Sequence, residues 1–248
     1  MFNYAVFDTE TIGLDKPFCY NIGYIIISDG EIVLKRDFVV EQIWHNLPLF
    51  STAYFADKRP LYIDSMKKRL TKMDKFGYIC QQMRRDFKAF EVQKAFAYNS
   101  PFDERVFAFN CEWFKCSNPL DNMPIGDIRA FVQKYLVGKV YKNFCEDYGF
   151  FTESGNYSTT AENVYKFVSG NLEFVEDHTA LSDSLIENAI LNACVECGAD
   201  LTEELAAVRT IPRNVLKELW IHDRDGEDWL YPYSSIKINK ARTEIFLK

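Results

Sequence analysis

Asp8 and Glu10 stand two residues apart at the end of the apolar run Asn3–Phe7, which reads as a buried strand, and the chain then turns at Thr11-Ile12-Gly13-Leu14. On a strand, residues two apart face the same side. Two carboxylates held side by side at the edge of a core repel each other and are costly to strip of water. A divalent cation relieves both penalties, and oxygen-only ligands suit Mg²⁺ or Mn²⁺. The same D-x-E spacing recurs at Asp29/Glu31 and Asp225/Glu227. Those pairs fall in a hairpin turn and a polar turn, where acids need no special reason. Only the first pair follows an apolar strand able to hold both carboxylates rigid.

Two further places put acids at the start of helices. In Ala97–Asp103 a strand ends, Asn99 and Pro101 open a helix, and Asp103 lies in its first turn. His178 and Asp183 enter a long helix near the end of the chain, and among three histidines only His178 has an Asp five residues on. Each place has an ordinary explanation taken alone, since acids complement the helix dipole in a first turn and a histidine is commonly a surface residue.

Together the three places are similar to the motifs of the DEDDh family of 3′–5′ exonucleases. Asp8-Thr9-Glu10-Thr11-Ile12-Gly13-Leu14 matches D-x-E-T-x-G-L, Asn99-Ser100-Pro101-Phe102-Asp103 matches N-x-x-F-D, and His178-Thr179-Ala180-Leu181-Ser182-Asp183 matches H-x-A-x-x-D. Their order agrees with the family, and the resemblance covers about residues 1 to 197. It implies a ribonuclease-H-like fold, a five-stranded mixed sheet flanked by helices. It implies 3′–5′ hydrolysis of DNA or RNA, releasing nucleoside monophosphates with two Mg²⁺ (or Mn²⁺) ions. Asp8, Glu10 and Asp183 would bind one ion, Asp8 and Asp103 the other, and His178 would be the general base. Thr9, Thr11 and Leu14 align with positions that grip the terminal nucleotide, with Asn99 and Phe102 of the second motif beside them. The partner implied is a nucleic acid, most simply single-stranded, with a free 3′ end.

The elements that must position these residues are legible from patterning. Asn3–Phe7, Tyr20–Ser28 and Glu31–Val40 read as a meander of strands, with Asp29-Gly30 as a hairpin turn. Leu61–Met73 and Tyr78–Phe90 carry apolar residues at helical spacing. Ala95–Tyr98 is a strand followed by the Pro101 helix, and a short strand precedes Asp127. Ile128–Val137, Lys142–Tyr148, Ala161–Val168 and Ser182–Cys197 read as helices, the last closed by Gly198. Hairpin strands followed by strand–helix alternation give an α/β class with a mixed sheet flanked by helices. Residues 1–200 are expected to form this domain. Residues 201–248 form a small extension packed on the core: short helices at Thr202–Arg209 and Arg213–Trp220, a charged turn at Asp223–Asp228 and a hairpin over Ser235–Leu247.

Net charge is −7, yet residues 58–94 hold eleven Lys and Arg against four acids. This stripe reads either as a solvated helix face or as a contact for a phosphate backbone, with Arg84 and Arg85 its candidate phosphate ligands. No apolar stretch is long enough to span a bilayer, and the chain opens on a strand without a basic-then-apolar leader. Seven cysteines without framework spacing fit free thiols in a reducing, cytoplasmic compartment. Cys194 and Cys197 form a C-x-x-C one helical turn apart, with Cys111 and Cys116 the paired candidates to complete a zinc site. Trp220, Trp229, Tyr231 and Tyr233 crowd the extension, where they cover the core, stack on bases or dock a protein partner. Two competing readings are a ribonuclease-H-like module that binds nucleic acid or a protein partner without cutting, and a metal-dependent phosphatase or endonuclease.

Overall fold

In the computed structural model, residues 2–206, 219–222, 228–230 and 244–247 are described. The elements in chain order are β1 (Tyr4–Thr11), β2 (Cys19–Ser28), β3 (Glu31–Val40), the single turns α1 (Glu41–Trp44) and α2 (Leu47–Phe50), α3 (Arg59–Lys67) and β4 (Lys72–Asp74). There follow α4 (Phe76–Ala89), β5 (Lys94–Ala97), α5 (Pro101–Phe114), β6 (Ile125–Asp127), α6 (Ile128–Phe131), α7 (Lys139–Tyr148), α8 (Ala161–Ser169) and α9 (Ala180–Glu196). The chain then adds β7 (Leu219–His222), β8 (Asp228–Leu230) and β9 (Glu244–Leu247).

The mixed sheet flanked by helices is present, with six strands in the order β4-β3-β2-β1-β5-β6. Strands β1, β2 and β3 run antiparallel to their neighbours in the meander. On one side β5 and β6 continue parallel to β1, and on the other β4 adds parallel to β3. The added strand corrects the expected helix Leu61–Met73. Helix α3 stops at Lys67, Arg69 takes a left-handed φ of 60°, and the chain returns extended through Lys72–Asp74. Strand β1 also runs four residues past Phe7, so Asp8 and Glu10 lie within the ladder, paired with Gly23 and Asn21 of β2.

Two compact units are distinguished, residues 1–137 with 159–207, and residues 138–158 with 208–248. In the first unit Ala5, Phe7, Ile22, Tyr24 and Ile26 bury one sheet face among Ile79, Met83 and Phe87 of α4 and Val106 and Phe107 of α5. Alternation sends Tyr4, Val6 and Asp8 to the other face, where α9 lies and the Tyr4 hydroxyl donates to Asn188 Oδ1 at 3.1 Å. In the second unit α7 gathers Phe144, Tyr148 and Phe150 into ring contacts. Its three-stranded antiparallel sheet has the order β8-β7-β9. Trp220 and Trp229 lie on β7 and β8, whereas Tyr231 and Tyr233 fall outside the described residues. Residues 202–206 of the expected helix Thr202–Arg209 are not helical, and Leu219 and Trp220 are strand. Glu244–Leu247 pairs with β7; most of the expected turn and hairpin falls outside the described residues. Among the described residues no helix is long and apolar enough to cross a membrane.

One packing contact sets the register of α9. A Cβ built on Gly23 would lie 2.1 Å from Leu181 N and 2.2 Å from the Ala180 carbonyl carbon, so the first turn of α9 rests directly on the backbone of β2. Ser184 Oγ donates to the Ala180 carbonyl at 2.7 Å and also lies 3.2 Å from the Gly23 carbonyl. Any side chain at position 23 must push α9 off the sheet. Gly23→Ala is expected to lower unfolding stability by about 1–3 kcal/mol, the usual cost of overpacking, measured by urea denaturation. A wild-type midpoint would show that α9 yields at no cost.

Candidate metal and nuclease site

The site lies where β1, α5 and α9 converge. Strand alternation sets Asp8 and Glu10 on the α9 face. Asp103 enters from the first turn of α5, where Pro101 occupies the helix start. Thr9 Oγ1 donates to Asp103 Oδ1 at 2.6 Å and fixes that carboxylate beside β1. Asp183 arrives on the first turn of α9, which the Gly23 contact presses toward Asp8.

Glu10, His178 and Asp183 each offer a ligand atom, and these atoms all lie within 4.8 Å of one another. Asp8 and Asp103 belong to the same electrostatic cluster. Burial and the Asp8 charge raise the Asp103 carboxyl well above the carboxylate range. Burial, then Asp8, lifts Asp183, and burial, then Asp8 and Asp183, lifts Glu10. Asp8 is raised by burial, against a backbone hydrogen bond from Thr9. Asp183 Oδ1 is buried without a hydrogen-bond partner. The carboxylates here are crowded, partly unsatisfied and short of positive charge, with one imidazole beside them. Such a set fits a hard divalent cation.

His178 is held by groups the sequence reading did not single out. Its backbone is left-handed, φ 53°, and its ring stacks on Phe55 with centroids 4.0 Å apart and planes 14° from parallel. Asn21 Oδ1 accepts from the Ala180 N–H at 2.8 Å, capping α9 from across the sheet, and from the Tyr62 hydroxyl at 3.1 Å. The Tyr62 hydroxyl also lies 3.4 Å from the His178 carbonyl. Asn21 Nδ2 donates to Asp37 Oδ1 at 2.7 Å, and Asp37 Oδ2 accepts from Thr71. A buried polar chain thus runs from Thr71, just before β4, to the histidine. Burial and the Lys58 charge lower the His178 pKa, outweighing Glu162, Asp177 and Asp57. Its Nδ1 is 3.7 Å from Glu176 Oε2; burial and Glu162 push the Glu176 carboxyl up to about 7.

A fifth carboxylate joins the cluster. Glu187 lies four residues after Asp183 and so on the same face of α9, the signal by which sequence alone could have found it. It is 3 % exposed, its Oε2 is buried without a partner, and burial followed by Asp8, Asp103 and Asp183 raises its pKa strongly. Tyr20, whose hydroxyl is 3.4 Å from Glu10 Oε2, had no such signal.

The remaining anticipated residues are placed as follows. Thr11 Oγ1 donates to the Gly13 carbonyl at 3.3 Å. Leu14 is 72 % exposed, and its carbonyl accepts from Arg105, whose guanidinium lies 5.4 Å from the Phe102 ring centre. Asn99 is left-handed, and its N–H donates to Asp127 Oδ1 at 3.0 Å. Arg84 acts on Cys111 and Cys116, while Arg85 lines a cleft of about 260 Å³ with Arg36, Lys72, Asp74 and Tyr78. The basic stripe is not one face. The Arg59 guanidinium lies 4.5 Å from the Trp44 ring centre, and Lys94 is buried, donating to the carbonyls of Leu201 and Glu203. Cys194 and Cys197 stay apart from the cluster formed by Cys111, Cys116 and Cys80.

Among solved structures the chain is similar to Exonuclease X in complex with 5′ overhanging duplex DNA, at 18% identity and a TM-score of 0.46, covering 82% of this chain and 97% of that one. It is also similar to E. coli Exonuclease I in complex with a dA16 oligonucleotide, at 11% identity and a TM-score of 0.46, covering 89% of this chain and 48% of that one, so it spans about half of that protein. No family model matches the chain, and no curated protein does.

The raised carboxyls make metal-free stability depend on pH with a definite sign. The folded state keeps protons that the unfolded chain releases above about pH 4, so stability falls as pH rises through the native pKa values. Melting temperature without metal should be lower at about pH 8 than at about pH 5, and Mg²⁺ should raise it mainly at the higher pH. Asp8→Asn should flatten both dependences. Equal pH profiles for wild type and Asp8→Asn would contradict this reading.

Proposed function

We propose that this chain is a metal-dependent 3′–5′ exonuclease, hydrolysing phosphodiester bonds at the 3′ end of DNA or RNA and releasing nucleoside monophosphates. The observation that carries the reading is the convergence of Glu10, His178 and Asp183, from opposite ends of the chain, onto donor atoms within 4.8 Å of each other. Asp8 and Asp103 share the same electrostatic field.

Asp8, Glu10 and Asp183 would hold one Mg²⁺ or Mn²⁺, and Asp8 with Asp103 a second. Two such ions, when bound, supply charge neutralisation for the scissile phosphate and a lowered pKa for the attacking water. His178 has the properties of the general base. Its lowered pKa leaves the imidazole neutral near pH 7, ready to accept the water's proton. Stacking on Phe55 limits the ring's rotation, and the Asn21–Tyr62 pair fixes the backbone that carries it.

On the substrate side, the Thr9 hydroxyl is committed to Asp103, so its contact with a terminal nucleotide would come through the backbone. Leu14 and Phe102 would offer apolar surface for a base, with Arg105 touching both, and Thr11 and Asn99 lie in the adjoining turns. Arg85 with Lys72 would take the phosphate backbone in the cleft on α4, and Arg84 would contribute charge alongside. A single-stranded 3′ end suits a site that must reach an unpaired terminal phosphodiester.

A 5′-labelled oligonucleotide with Mg²⁺ should shorten one nucleotide at a time in the wild type. Asp8→Ala should show no activity, and His178→Ala should lose about 10²–10⁴-fold, the typical share of a general base. Phe55→Ala should lose less than His178→Ala. Full activity in either Asp8→Ala or His178→Ala, or internal fragments from the wild type, would overturn the assignment.

A further inference from the structure

Three cysteines from two helices meet beneath the basic helix, outside the carboxylate site. Cys80 comes from the middle of α4, Cys111 from the last turn of α5 and Cys116 from the segment after it. Lys115 takes a left-handed φ of 53°, which ends α5 and turns the chain back, so that the Cys116 N–H donates to the Cys111 carbonyl at 3.0 Å. The three Sγ atoms lie within 4.8 Å of one another. Cys80 and Cys111 are buried, and Cys116 is half-buried, which leaves one side of the cluster open to solvent.

We propose that Cys80, Cys111 and Cys116 form a three-thiolate site for Zn²⁺. The sulfurs need only a small contraction to stand around one ion with Zn–S bonds of about 2.3 Å. The four-residue gap between Cys111 and Cys116 is a zinc-ligand spacing. Charge decides among soft metals. Three thiolates and Zn²⁺ leave a net charge of −1, near which Arg84 acts favourably on Cys111 and Cys116 while Asp121 opposes it at Cys111. A monovalent ion would leave −2 in a largely buried place. The Cys111 sulfur is the acceptor of the cluster, with Cys80 and Cys116 hydrogen-bonded to it and its pKa lowered in consequence. Metal entry would release the thiol protons. Among the described residues no fourth Cys, His, Asp or Glu completes the set within the same distance, so the remaining position is open to water on the Cys116 side. Such a site would tie α4 to the end of α5.

The test uses full-length protein, purified with a reductant, stripped of metal and titrated with Co²⁺ alone and with Zn²⁺ alone. Thiolate-to-cobalt charge transfer, which a carboxylate site cannot produce, should saturate at one equivalent and vanish when Zn²⁺ is added. Cys80→Ser, Cys111→Ser and Cys116→Ser should each lose the band, and Cys197→Ser should keep it. Should those variants fail to fold, zinc X-ray absorption on the wild type decides, with three sulfurs and one lighter atom expected in the shell. No charge-transfer band, a shell of oxygen and nitrogen only, or a disulfide within the cluster in reduced protein would overturn the proposal. Each result stands independently of nuclease activity.

Discussion

The whole arrangement depends on the absence of a side chain at Gly23. A helix that packs on a sheet through ordinary side chains is held off the backbone by them. Here the first turn of α9 touches the backbone of β2, with Ala180 and Leu181 inside the space a Cβ would fill. Gly23 is the ladder partner of Asp8. The same contact therefore brings Asp183 into the electrostatic field of Asp8 and carries His178, just before the helix, to Glu10. Asn21, two residues before Gly23 on β2, takes the Ala180 N–H and locks the approach.

That approach creates an unfavourable charge distribution. Asp8, Glu10, Asp103, Asp183 and Glu187 crowd a region from which water is largely excluded; burial raises the pKa of every one, and neighbouring charges add to it in all but Asp8. Proteins keep such strain where it is used, because groups that repel one another in the free state bind cations strongly. The apolar packing beneath Phe7 and Tyr24 on the other face supplies the stability that this costs. The polar chain from Thr71 through Asp37 and Asn21 to Tyr62 then fixes the histidine's backbone without adding charge beside it.

Much of this was legible in the sequence, and the parts that were not have physical reasons. Period-two alternation put Asp8 and Glu10 on one face, and the meander of three strands follows from the same signal. Strand β4 was hidden because Lys72–Asp74 is three residues long and continues a helical pattern; only the left-handed Arg69 ends the helix, and nothing in its residue type announces that. Asn21, Tyr62 and Phe55 carry no local pattern, since their roles arise from partners 16 to 159 residues away. Glu187 was readable from its helical spacing to Asp183. The cysteine cluster was not, because Cys80 is 31 residues from Cys111 and only the packing of α4 on α5 unites them. The stripe of basic residues shows the opposite failure, a contiguous run that the fold divides among a ring contact, a buried amine and an open cleft.

The central claim is that the motif carboxylates form one crowded, proton-retaining cluster built to receive divalent cations. Calorimetric titration with Mn²⁺ near neutral pH, in two buffers of different ionisation enthalpy, reads ion number and proton release together. The account predicts two ions bound with net release of protons, and loss of both ions' tight binding in Asp8→Asn, because Asp8 would serve as a ligand to each. Binding with no proton release, or wild-type stoichiometry and affinity in Asp8→Asn, would contradict it.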